Sequence, residues 1–326
     1  MSVLVTGGAG YVGSFSVHAL VARGEDVVVI DDLSRGHREA VPAGVPLLIA
    51  DLRDRAATEK ALAAHEFDVV LHFAANAYVG ESVKDPRRYW ENNLGGTLNL
   101  LGLMLDRGVT RFVFSSTCAI YGEPALDVLT EDLPHLPVNP YGRSKATVEA
   151  VLADYDAALG LRSFRLRYFN AAGADEAGTI GEDHEDETHL IPLAIGAART
   201  GKPLPVFGTD WPTPDGTCVR DYVHVEDLAT AHVAAVDRLR AGHAGDALNL
   251  GTGRGTSVRE VIAAVERASG LAVPWNAAPR RPGDPPRLVA GPGRAADVLG
   301  WRPKYASIDD TVRTAWTWHV KRRPSV

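Results

Sequence analysis

Short apolar runs alternate with amphipathic stretches through the first half of the chain, and that alternation predicts strands and helices in turn. Val3-Leu4-Val5 reads as a strand that passes at once into Thr6-Gly7-Gly8-Ala9-Gly10-Tyr11-Val12-Gly13 and then a helix to about Arg23. The next apolar run, Asp26-Val27-Val28-Val29-Ile30, ends at Asp31-Asp32, and a third, Pro46-Leu47-Leu48-Ile49-Ala50, ends at Asp51-Leu52. A helical stretch from Ala56 to His65 leads to Val69-Val70-Leu71-His72-Phe73-Ala74-Ala75, a buried strand that closes in small residues. Asn92-Asn93-Leu94-Gly95-Gly96-Thr97 opens a further helix, and Arg111 to Thr117 is a strand whose hydroxyls emerge at its carboxyl end. Strands separated by helices build a parallel sheet, so the pattern predicts an α/β fold with a doubly wound, Rossmann-type sheet.

After Leu166-Arg167-Tyr168-Phe169-Asn170 the alternation lapses into a polar, glycine-rich stretch, Ala171 to Thr188, which reads as the crossing into a smaller mixed α/β substrate-binding domain. The division expected is a dinucleotide-binding domain over residues 1–170 and a substrate domain over 171–326. They interleave, because Ala247 to Gly253 reads as a strand rejoining the first sheet, within a return segment of about 220–252. Leu190-Ile191-Pro192 opens a helix, Ser257 to Ala268 is an amphipathic one, and Trp301, Trp316 and Trp318 read as core packing in the last helices.

Composition narrows the partners. The 326 residues are 45% hydrophobic and 23% charged, enough for a sizeable core and two lobes. A net charge of -7 with no dense Lys/Arg block argues against nucleic acid or a membrane surface and for small molecules. Cys118 and Cys218 stand far apart without paired metal-ligand spacing, which fits a reducing cytoplasm rather than a disulfide framework. The first strand begins at Val3 and no later apolar run reaches ~20 residues, so neither secretion nor membrane spanning is expected.

Three stretches carry chemistry. Gly7, Gly10 and Gly13 follow G-x-x-G-x-x-G between a strand and a helix, which lets backbone approach a pyrophosphate at a helix N-terminus; alone, they also fit a plain tight turn. Asp31-Asp32 stand about 20 residues past the glycines, where an acid meets the adenosine ribose and repels a 2′-phosphate, favouring NAD over NADP; Arg35 nearby pulls the other way. Asp51 is placed to accept from an adenine amino group, or is an ordinary strand-end acid. Asn139-Pro140 starts a helix on which Tyr141 and Lys145 share a face at i and i+4. A phenol is a poor base at neutral pH unless a neighbouring cation stabilises its phenolate, so the pair suits a base and its tuner; alone, it fits an exposed helix equally well.

Taken together, Thr6 to Gly13, Ser116-Thr117 and Tyr141-x-x-x-Lys145 resemble the extended short-chain dehydrogenase/reductase family. Within it, Val79-Gly80-Glu81-Ser82, Arg167-Tyr168-Phe169-Asn170, Asp215-Gly216-Thr217 and Arg220 to Val225 resemble the UDP-glucose 4-epimerase family, over almost the whole chain. The resemblance implies Thr117, Tyr141 and Lys145 as catalytic residues. It implies NAD held by Gly7, Gly10, Tyr11, Val12, Gly13, Asp31, Asp32, Asp51, Leu52, Phe73, Ala74, Ala75, Asn92, Tyr141, Lys145 and Phe169. It implies a UDP-sugar held by Thr117, Tyr141, Asn170, His189, Leu190, Val206, Phe207, Arg220, Arg281 and Asp284, and a homodimer. The two arginines suit a diphosphate because a guanidinium fork stays charged and matches phosphate oxygens.

The chain departs from the resemblance at two points: Ala77 stands where many relatives carry a lysine, and Leu288 stands at the position that controls access of N-acetylated sugars. UDP-xylose and UDP-N-acetylglucosamine therefore stay open beside UDP-glucose. A sugar-nucleotide 4,6-dehydratase is disfavoured because Cys118-Ala119, not an acid pair, follows Thr117. A net NAD-dependent dehydrogenase and a non-catalytic NAD-binding protein compete with the epimerase reading as well. His184-Glu185-Asp186-Glu187-Thr188-His189 lacks the H-E-x-x-H order, and no metal is expected there.

Overall fold

The computed structural model describes residues 1–124, 126–281, 283–291 and 293–322. The first half runs β1 (Ser2–Thr6), α1 (Tyr11–Ala22), β2 (Val27–Asp31), β3 (Leu47–Ile49), α2 (Arg55–Leu62), β4 (Phe67–His72), α3 (Val79–Lys84), α4 (Pro86–Tyr89), α5 (Thr97–Asp106), β5 (Arg111–Thr117), α6 (Pro140–Leu159) and β6 (Arg162–Tyr168). The second half continues with β7 (Asn170–Ala172), α7 (Leu190–Thr200), β8 (Leu204–Phe207), β9 (Val219–Arg220), β10 (Tyr222–His224), α8 (Val225–Arg240) and β11 (Gly245–Leu250). It closes with β12 (Thr256–Ser257), α9 (Val258–Ser269), β13 (Trp275–Ala278), β14 (Arg287–Leu288), α10 (Gly293–Leu299) and α11 (Ile308–Arg322).

Seven strands pair in the order β11-β6-β5-β4-β1-β2-β3, all parallel. Such a sheet is covered on both faces, which is why β1 and β4 read as continuous apolar runs. On one face Val17 and Leu20 of α1 and Leu228 and Val236 of α8 bury Val5, Val29 and Leu71. On the other, Leu100, Leu101 and Met104 of α5 and Val148 and Leu152 of α6 cover Leu4, Val70, Phe112 and Phe114. The strand order reverses between β1 and β4, so the loops leaving them splay apart and open a crevice at the carboxyl edge.

Local chemistry shapes that edge. β4 ends at His72, short of the expected Ala75, and Phe73 to Ala75 leave the sheet to line the crevice. At Gly7, whose φ is +69°, an added Cβ would lie 2.5 Å from the Ala74 nitrogen; only glycine lets these two strand ends meet. The helix expected from Asn92 begins instead with a wide π-helical turn over Trp90–Gly96, a form found at functional sites.

β11 extends the sheet beyond β6, with Leu248 opposite Leu166, so the chain re-enters the first layer after β7–β10. The smaller lobe gathers α7, α9 and α11 around Ile191, Ile195, Val261, Val265 and Val312, with β8 and β13 paired alongside. Ser257 and Glu260 cap the start of α9 reciprocally, which fixes where that helix begins. Trp301 lies in the main core, and Trp316 packs against the smaller one. Trp318 differs from expectation: its indole donates to the Glu182 carbonyl at 2.9 Å, anchoring a loop rather than filling a core.

Candidate active site

The crevice begins at the start of α1. Gly10 offers no side chain to cap the helix, so the first-turn amides of Tyr11, Val12 and Gly13 and the positive end of the helix dipole are left for a ligand. A Cβ on Gly13 would sit 2.1 Å from the Gly7 carbonyl oxygen, whereas one on Gly10 would meet nothing nearer than 3.3 Å. Packing demands the glycine at 13, and the one at 10 keeps the crevice floor low.

Asp31, Asp32, Asp51, Leu52, Ala74, Ala75 and Asn92 line the groove that continues from this loop. Asp31 is 7% exposed and its carboxylate accepts from the amides of Ala9 and Leu33, both at 2.9 Å, so it also holds the glycine turn in place. Burial raises its pKa, and those two amides pull it back. Asp32 accepts from the Ser34 amide and hydroxyl at 2.9 and 2.6 Å, and Asp51 is forked by Arg53 at 2.6 to 3.0 Å. Arg35, the residue that pulled toward a 2′-phosphate, is tied to Glu81 at 2.9 Å and lies over the Tyr78 ring at 4.9 Å. An uncapped helix start, close-packed glycines and acids at the far end fit a dinucleotide without a 2′-phosphate.

The same crevice widens to a cleft of about 420 Å³ whose wall carries Thr117, Tyr141, Lys145, Phe73 and Phe169. Asn139 caps α6, accepting from the Gly142 amide at 2.8 Å, and Pro140 suits the first turn, so Tyr141 and Lys145 are set one turn apart. Lys145 is 2% exposed; its Nζ donates to the Ser115 carbonyl at 2.8 Å and lies 4.7 Å over the Phe114 ring. Burial pulls its pKa down to about 7, against the Glu149 carboxylate. Burial pushes the Tyr141 phenol up to about 12, opposed by a hydrogen bond with Thr117. Thr117, at the end of β5, also accepts from the Ala119 amide at 3.1 Å.

Two positioning networks are invisible in the sequence. Glu149, one turn beyond Lys145, is 3% exposed and is gripped by Arg167 of β6 at 2.6 to 3.2 Å and by the Ser116 hydroxyl at 2.5 Å. Arg167 goes on to the Tyr121 hydroxyl at 2.9 Å and the Glu131 carbonyl at 3.1 Å. Asn93, turned inward by the π-helical turn, accepts from the Asn76 amide at 2.8 Å and donates to the Asn76 carbonyl and the Ser144 hydroxyl at 3.0 and 3.1 Å. It clamps the loop after β4 to α6. Nothing in sequence spacing joins residues 17, 18 or 51 positions apart; only the fold does.

At the other end of the cleft stand Asn170, His189, Leu190, Arg220, Asp284 and Leu288. Arg220 lies 3.6 Å from Asp284, and β14 pairs Leu288 with Arg220. Asp221, fully buried, accepts from the amides of Thr252, Gly253 and Ala290 at 2.9 to 3.2 Å and thereby fixes the strand that carries Arg220. Three expected residues are placed otherwise. Val206 is 1% exposed in the smaller lobe's core, because its side chain takes the inward face of β8; only its backbone can meet a ligand. Phe207 and Arg281 stack on each other at 3.8 Å, with Arg281 lining a recess beside the cleft that it shares with Asp284.

Glu182 and His184 also line the cleft, beside Tyr11 and Tyr78. Burial works against charge on His189 and His184, yet Glu182 and Glu187 outweigh it and raise them to about 10 and about 9. Tyr11 donates to the Gly173 carbonyl at 2.6 Å, tying α1 to the crossing segment.

A profile of the NAD dependent epimerase/dehydratase family matches residues 3–251. The chain belongs to this family. The UDP-glucose 4-epimerase of Rhizobium leguminosarum bv. trifolii is 53% identical over 98% of this chain and 98% of its own. That of Azospirillum brasilense is 50% identical over 99% and 93%. The crystal structure of the Brucella ovis UDP-glucose 4-epimerase in complex with NAD superposes with a TM-score of 0.93 at 47% identity, covering 96% of each chain. For a member of an epimerase/dehydratase family the acids of the cleft matter. Glu81 is engaged by Arg35 and Arg88, Glu182 by His189, and Asp284 by Arg220. Cys118, beside Thr117, is buried and its thiol is pushed up to about 12. Among the described residues no helix is long and apolar enough to cross a membrane.

Proposed function

We propose that the chain interconverts UDP-glucose and UDP-galactose by NAD-dependent epimerisation at the sugar's C4. The observation that carries this reading is one cleft with a glycine-loop helix start at one end, Tyr141, Thr117 and Lys145 on its wall, and Arg220 at the other end. NAD, which the glycine loop, Asp31 and the crevice walls would hold, would supply a hydride acceptor and donor for C4. Tyr141 takes the proton of the C4 hydroxyl, with Thr117 relaying it or hydrogen-bonding to the same oxygen. Lys145, one turn along the same helix and bonded to the Ser115 carbonyl, supplies positive charge in its protonated form. The phenol, at about 12, is a poor base until positive charge beside it lowers that value.

Inverting C4 requires the 4-ketose to present its other face. Arg220, Arg281 and Asp284 hold the uridine diphosphate, while Leu288 and Phe169 give the cleft apolar faces past which the ring can turn. Glu81, Glu182 and Asp284 are each held by a cationic partner, which disfavours the elimination that a dehydratase needs. The family resemblance supports a homodimer working in the cytoplasm; light scattering at the mass of a single chain overturns the former.

The deciding experiment offers the purified protein a panel of UDP-hexoses, N-acetylhexosamines, pentoses and uronates and reads C4 epimers by NMR. Galactose and glucose forms interconverting, with no net NADH, support the reading. No epimer from any of them at saturating NAD refutes it, and a pentose or N-acetylhexosamine turned over faster reassigns the substrate.

A further inference from the structure

The H-E-x-x-H criterion presumes ligands on one helix, and residues 182–189 form no helix; they are the loop leading into α7. That loop folds Glu182, His184, Glu187 and His189 around one point, with one ligand atom from each lying within 4.8 Å of the others. His184 Nδ1 is 3.3 Å from Glu182 Oε1 and 3.5 Å from Glu187 Oε2, and His189 Nδ1 is 3.4 Å from Glu187 Oε1. Four nitrogen and oxygen ligands at about 2.1 Å from a tetrahedral zinc ion stand about 3.4 Å from one another. Glu182 and His189 form a direct hydrogen bond, which an ion has to open, and the two pairs left over lie within 4.8 Å.

His184 Nδ1 lacks a hydrogen-bond partner of its own. It is buried yet makes no aligned hydrogen bond, although two carboxylates lie at ion-pair distance. Such an atom calls for a partner, and a cation shared with those carboxylates supplies one. An outer layer already orients the set: Glu187 accepts from the Thr188 and His189 amides, both at 2.7 Å, and the Glu182 carbonyl is held by Trp318. A route in exists as well, because Glu182, His184 and Glu187 border a second cavity of about 330 Å³ on the α7 side.

We propose that Glu182, His184, Glu187 and His189 form a tetrahedral site for a zinc-class divalent ion. Two imidazoles and two carboxylates suit a borderline metal better than calcium or magnesium. All four positions are filled by protein, so the ion is structural: it ties off the loop that brings His189 and Leu190 to the sugar end of the cleft.

The test uses tag-free holoenzyme, stripped with chelator and desalted, and reads binding without turnover. Zinc is titrated by calorimetry and cobalt by visible absorption. One ion per chain, with the intense cobalt bands of a tetrahedral site, is expected. Glu187→Gln and His184→Ala are each expected to weaken zinc by more than about 100-fold, beyond the loss of an outer-layer partner. Glu187→Gln is nearly isosteric, so the comparison survives if the histidine variant misfolds. No saturable zinc binding to the wild type, or unchanged affinity in Glu187→Gln, overturns the site and leaves an ion-pair lattice of protonated imidazoles.

Discussion

Replacing Arg167 by Met tests what holds the catalytic helix. The side chain is 4% exposed and spends its donors on Glu149, the Tyr121 hydroxyl, the Glu131 carbonyl and His135. Met fills the volume but leaves the Glu149 carboxylate buried without its partner, a change worth about 3–5 kcal/mol. With about 2.1 cal/mol/K of unfolding entropy per residue, a chain of 326 residues loses about 1.5 °C in Tm for each kcal/mol. The expected drop is therefore about 4–8 °C by differential scanning calorimetry. Function should follow, because Glu149 is on the same helix as Tyr141 and Lys145 and Arg167 is its tie to the sheet. A displacement of order 1 Å at the base costs about 100-fold in kcat. The double variant Glu149→Leu with Arg167→Met strands no charge and should recover most of the lost stability. A Tm drop below about 2 °C for the single variant, or losses that simply add in the double, would refute the argument.

Other expectations follow from the same contacts. Asn93→Ala strips the Asn76 backbone of both its bonds to that side chain, so stability falls by about 1–3 kcal/mol and more NAD is lost on gel filtration; unchanged retention contradicts the clamp. Ala77→Lys adds an ammonium to the cleft and should slow NAD loss; faster loss means the loop cannot take the longer side chain. Lys145, at about 7 in the fold against about 10.4 unfolded, binds fewer protons when folded between those values. Its presence therefore penalises folding fully below pH 7, and the penalty lifts as pH rises toward 10. The Tm of wild type relative to Lys145→Met should accordingly improve between pH 7 and pH 9.5, and a constant difference contradicts the buried lysine.

The sheet was legible because parallel strands covered on both faces must be apolar throughout and their helices must be amphipathic; Val3 to Val5 and Val27 to Ile30 carry that signature. The glycine loop and the Tyr141–Lys145 spacing were legible because both are local geometry. What escaped was long-range or shared between backbone and ligand. Asp31 looked like a ribose contact, but its burial also commits it to the glycine turn. Val206 sat in the right segment, yet strand alternation sends its side chain to the core. Glu149, Arg167 and Asn93 look like ordinary polar residues until α6, β6 and the π-helical turn bring them together. Glu182, His184, Glu187 and His189 come together only because the loop before α7 folds back on itself.

The most direct measurement compares wild type with Tyr141→Phe for NAD content and for the rate of UDP-galactose conversion to UDP-glucose. Removing one hydroxyl from the cleft wall should leave bound NAD nearly unchanged and lower kcat by about 10²–10⁴-fold, the range of a lost general base. A variant that keeps NAD and turns over at the wild-type rate would contradict the assignment of Tyr141 as the base.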